Sequence, residues 1–70
     1  MTLKHVKPLP PVPVLRWTPG RKAGVVEAWI RAELTAHEIC RRYRLAPEEL
    51  ERWRTLYEKG GILALRVTYR

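Results

Sequence analysis

Aspartate and serine are absent from this 70-residue chain, so the usual Ser-His-Asp machinery cannot be assembled. Its one cysteine, Cys40, cannot close an internal disulfide. No glycine-rich phosphate loop is present. Apolar runs are only a few residues long, far short of the roughly 20 that span a bilayer. No cationic segment leads into an apolar run as a secretory signal would. Histidine is scarce as well: "HEIC" opens like a zinc-protease helix, but Cys40 follows His37 where a second histidine would be needed one residue later, and His5 is the only other imidazole. These absences predict a soluble, cytoplasmic chain with no metal, no cofactor and no catalytic activity. A domain this small buries only about 60% of its unfolded-chain surface, which leaves no room for a deep enzyme cleft.

Acid is the next shortage. Seven glutamates face fourteen lysines and arginines, for a net charge of +7. The imbalance is uneven: Lys4, Lys7, Arg16, Arg21 and Lys22 precede the first acid, Glu27, while the remainder is nearly balanced. Such asymmetry points to an anionic partner, either nucleic acid or an acidic protein surface.

Four of the six prolines fall in residues 1–16, in and around "KPLPPVPVL". Proline fixes its backbone angle and lacks an amide donor, so this stretch favours an extended arm over a helix. Pro8 to Pro11 and Pro10 to Pro13 have the spacing of proline-rich ligands, a spacing that is common by chance. The arm is expected to be flexible or surface-packed, with Leu9, Val12, Val14 and Leu15 covering part of the core. Residues 17–70 are expected to form the folded domain.

Three helix starts follow. Thr18 and Pro19 suit the cap and first position of a helix running to about Glu33, with Ala23, Val25, Val26, Trp29 and Ile30 on its apolar face. "TAHE" supplies a capping box between Thr35 and Glu38 for a second helix ending near Tyr43. Ala46 offers no side-chain cap, but Pro47, Glu48 and Glu49 favour a third helix that ends near Lys59 at Gly60–Gly61. "ILALR" makes a short final turn.

Ile39, Cys40, Tyr43, Leu45, Leu50 and Trp53 have the apolar spacing of a helix-turn-helix, in which two helices joined by a short turn share one small core. Cys40 reads as packing, and Arg44 sits at a turn position that often requires glycine. The fold expected is all-α: a trihelical helix-turn-helix domain of the Trp-repressor and transposase type, with an extended arm and a short C-terminal turn.

Two uses of this scaffold stay open. In the first, double-stranded DNA is the partner: Arg21, Lys22, Arg41, Arg42 and Arg44 touch phosphate, Glu48 accepts from a cytosine amine, Arg52 forks onto a guanine, and Thr55 completes the reading face. In the second, the mixed face formed by Glu48, Glu51, Arg52, Thr55 and Glu58 docks on a protein. The glutamates oppose phosphate and favour the second use. No dimerisation helix is evident, and a monomer is favoured.

"LPPVPVLRW", "RKAGVVEAW", "EICRRYRLAPEELERW" and "ALRVT" together resemble the DUF1153 family of SciP-like bacterial proteins, across residues 9–70. That family includes an inhibitor of the cell-cycle response regulator CtrA. The resemblance implies a transcriptional regulator that contacts promoter DNA, a DNA-bound CtrA-like response regulator, or that activator's recruitment of RNA polymerase. Gly20 and Ala46 depart from the family pattern, which has a further base and a serine-like cap at these places.

Overall fold

The computed structural model describes residues 9–14 and 16–68, with the side chains of 67 and 68 excepted. Thr18 opens the first helix, α1 (Pro19–Ile30): its hydroxyl accepts from the Arg21 amide at 3.2 Å, and Pro19 follows where no donor is needed. The helix stops three residues earlier than its apolar pattern suggests, because Ala32 turns left-handed (φ 62°). The Glu33 amide then bonds to the Ala28 carbonyl and the Ala32 amide to the Trp29 carbonyl, each at 2.9 Å, in a Schellman stop. Ile30, expected on the buried face, is therefore left 43% exposed at the last turn.

Both halves of the expected capping box are formed at the start of α2 (Ala36–Tyr43). The Thr35 hydroxyl accepts from the Glu38 amide at 3.0 Å, and the Glu38 carboxylate accepts from the Thr35 amide at 2.8 Å. Arg44 ends the helix in the left-handed region (φ 58°, ψ 49°), and after it α3 (Pro47–Ala64) begins with no side-chain cap at Ala46. Gly61 interrupts α3 with φ 72° and ψ −158°, a conformation essentially confined to glycine. The glycine stop is thus where expected, but helical turns resume beyond it and pass into a 3-10 turn, Leu65–Thr68.

Among the described residues there is no strand, and the three helices enclose one core of Ala23, Val25, Val26, Ile39, Tyr43, Leu45, Leu50, Trp53 and Leu65. This is the all-α trihelical architecture expected. Trp17 joins the core from outside the helices, 5.5 Å edge-on to Tyr43 and 4.9 Å from the Trp53 ring centroid. From Lys22 to Val26 every residue of α1 is buried, so this half of the helix is enclosed on all sides and has no solvent face. Among the described residues no helix is long and apolar enough to cross a membrane.

Part of the proline-rich arm is packed. Pro10 is buried and its carbonyl accepts from the Tyr43 hydroxyl at 2.9 Å, while Val14 rests against the core. Leu9 and Val12 are exposed, contrary to their expected role as core cover, and Leu15 lies outside the described residues.

Candidate functional site

The turn between α2 and α3 gathers the expected charges. Arg41 and Arg42 occupy the last turn of α2, Arg44 the bend, and Glu48, Glu49, Glu51, Arg52 and Thr55 the outer side of α3; all are exposed. The left-handed Arg44 lets the chain reverse while Tyr43, Leu45, Leu50 and Trp53 stay in the core. Four arginines and three carboxylates are therefore exposed on and around this turn and the first turns of α3.

Glu48 and Arg52, four residues apart, do not pair with each other. The ion pair on this helix joins Arg54 to Glu58 at 3.0 Å. Arg54 also lies 4.6 Å over the Trp29 ring, so Trp29 is covered by a guanidinium and is no free platform for a base. Glu58 is correspondingly engaged, which leaves Glu48, Glu51, Arg52 and Thr55 as the more available members of the mixed face.

Lys22 stands apart from the expected phosphate contacts. It is 2% exposed, its ammonium donates to the Leu65 carbonyl at 3.0 Å and lies 5.5 Å from the Trp53 ring centroid. Burial lowers its pKa, an effect opposed by the charge of Glu49. Its role here is to tie the 3-10 turn to α1, and the surface cation of the pair is Arg21. Arg21 donates to the Arg16 carbonyl at 3.0 Å and is exposed at the start of α1.

Cys40 is half-buried against the core. Burial, followed by the nearby charges of Glu48 and Glu51, raises its pKa and keeps the thiol protonated at neutral pH. At the other end of α2 the Glu38 pKa is lowered, first by its hydrogen bond from the Thr35 backbone, with smaller help from Arg42 and His37. Among the described residues no group of three His, Cys, Asp or Glu side chains could hold a metal ion.

Sequence reasoning missed two contacts that shape this surface. The Arg54–Trp29 stack joins two helices, and the Tyr43–Pro10 bond joins the arm to the turn. A single signal was available: a core tyrosine needs a partner for its hydroxyl.

The family model DUF1153, described as a protein of unknown function, matches residues 2–70. The chain belongs to the DUF1153 family. No curated protein and no solved structure matches it. In this DUF1153 protein the matched region includes the arm as well as all three helices, so the Pro10 anchor and the arginine-lined turn lie within one family unit.

Proposed function

We propose that this DUF1153 protein is a small binding module for transcription control, docking its helix-turn-helix on duplex DNA. The observation that carries the reading is the left-handed Arg44 bend with Arg41, Arg42, Arg44 and Arg52 exposed around it. Three arginines at the helix end and turn suit phosphates, and Arg52, unpaired with Glu48, suits the edge of a guanine. A bidentate contact of that kind is worth about 1–3 kcal/mol of discrimination. Three phosphate contacts would give a salt dependence of about −2.7 in log K against log salt. Fluorescence anisotropy with a labelled duplex at several salt concentrations tests this. Absence of binding at low salt would refute it, and an unchanged sequence preference in Arg52→Ala would remove the base-reading role alone.

Glu48, Glu49 and Glu51 favour a second reading. Three exposed carboxylates on the first turns of α3 oppose phosphate and suit a basic protein surface, such as that of a DNA-bound response regulator or RNA polymerase. The charge-reversing pair Glu48→Lys and Glu51→Lys separates the two: on a random-sequence duplex it strengthens binding under the first reading, and under the second it abolishes the protein contact. A single module buries only about 600–1,000 Å² of its own surface on DNA, and a neighbouring protein would add the specificity it lacks.

A further inference from the structure

The described part of the arm forms one wall of a cleft at the turn. Val12, Pro13 and Val14 line it from one side and Arg42, Tyr43 and Arg44 from the other, around a space of about 230 Å³. Both walls are held in place. Two residues before Val12, the carbonyl of the buried Pro10 takes the Tyr43 hydroxyl at 2.9 Å, and Trp17 packs edge-on to the Tyr43 ring at 5.5 Å. Tyr43 closes α2 and Arg44 makes the left-handed bend, so the two arginines flank a buried tyrosine in the chain. The lining is apolar on the arm side; on the other it carries two arginines, and no carboxylate is among these six residues. Glu38, whose charge reaches Arg42, is engaged with the Thr35 amide at 2.8 Å. Val12 is 55% exposed, an apolar residue that the core leaves outside, beside two cations.

We infer that this cleft seats one sugar–phosphate unit of the duplex backbone, with Arg42 and Arg44 on the phosphate and Val12 and Pro13 packed against the deoxyribose. The inference rests on the DNA reading above and adds to it an apolar contact that charge alone does not supply. The occupant's chemistry matches both walls: a backbone unit joins an anionic phosphate to a sugar ring of mostly C–H surface. Half to two-thirds of protein–DNA hydrogen bonds go to phosphate and sugar, so such a seat fixes how the helix-turn-helix lies on the duplex without reading sequence. Size agrees, because the cleft is smaller than the roughly 300–1,000 Å³ of a site for a drug-sized ligand and suits a single backbone unit. The Pro10–Tyr43 bond sets the walls before binding, which reduces the ordering that binding would otherwise cost.

The test is a salt series by fluorescence anisotropy on a labelled random-sequence duplex, using the full chain, Val12→Ala and Arg42→Ala. Val12→Ala weakens binding about fourfold at every salt, the worth of one buried methylene, and leaves the slope of log K against log salt unchanged. Arg42→Ala lowers that slope by about 0.9. The contact is also read without any substitution, as nuclear Overhauser effects between Val12 or Pro13 protons and deoxyribose protons in the native complex. Native affinity in Val12→Ala, or absence of those effects in a complex that does form, overturns the inference while leaving the helix-turn-helix reading intact. Cleft resonances that shift with a glutamate-rich peptide but not with the duplex assign the seat to a protein carboxylate and overturn it equally. No binding by the native chain at low salt refutes the DNA reading itself, and this inference with it.

Discussion

Arg44→Gly should raise stability and lower DNA affinity at once. Arg44 holds φ 58° and ψ 49°, a region that costs an L-residue about 1–2 kcal/mol. Glycine removes that cost but gains roughly 0.5–1 kcal/mol of conformational freedom in the unfolded chain. The net gain is about 0.5–1 kcal/mol, or a Tm increase of about 2–8 °C for a domain of this size. Arg44 is exposed, so its side chain contributes little packing to offset the gain. Under the proposed DNA reading binding should move the other way, because one phosphate contact would be lost and the salt slope would fall by about 0.9. Two controls isolate the causes. Arg44→Ala keeps the backbone cost and loses the charge, so it binds like the glycine variant without its added stability. Ala32→Gly relieves the same left-handed geometry (φ 62°) at an uncharged position, so it stabilises without touching binding. Urea unfolding with an unchanged m value reads the stability, and anisotropy reads the binding. An Arg44→Gly protein no more stable than Arg44→Ala would refute the argument.

Gly61→Ala should destabilise by about 1–3 kcal/mol, since φ 72° with ψ −158° is open to glycine alone, and thermal unfolding measures this although an added Cβ would meet no neighbour within 4 Å. Tyr57→Phe removes a half-buried hydroxyl that donates to Glu27, at a cost of about 1.5 kcal/mol in urea unfolding. The Tyr57 pKa is raised, first by that hydrogen bond, so its contribution is present below the ordinary value of 10.0 and is lost as pH rises through the higher folded value. The Glu38 pKa is depressed, so the opposite sign holds: its contribution is present above 4.5 and fades as pH falls through the lower folded value. Glu38→Gln should therefore be weaker than the native chain at neutral pH and equal to it in strong acid, a convergence that acid-unfolding curves display.

Local punctuation made most of the fold legible. Thr18–Pro19, the Thr35–Glu38 box, Pro47 and Gly61 each act on groups within a few residues, and each sits where its chemistry predicts. The spacing from Ile39 to Trp53 likewise gave the shared core of α2 and α3, apart from Cys40, which is only half-buried. Contacts between distant segments were not legible. Lys22 looks like a surface base because its partner, Leu65, lies 43 positions away. Ile30 continues an apolar stripe that the left-handed Ala32 cuts off, and nothing about alanine announces that conformation. In the candidate site the helical period of α3 accounts for the exposure of Glu48, Glu51, Arg52 and Thr55, which says nothing of what they bind. Which of those charges pair depends on side-chain geometry: Arg54 took Glu58, and Glu48 did not take Arg52.

The central claim, that the helix-turn-helix meets DNA, is tested most directly by residue-level mapping. The isotope-labelled chain is titrated with a random-sequence duplex at low and moderate salt while amide shifts are followed. The account predicts that Arg41, Arg42, Arg44 and residues 47–55 shift together, with affinity falling steeply as salt rises. Shifts confined to residues 1–16, or no shifts at all, would contradict it and leave the glutamates of α3 facing a protein.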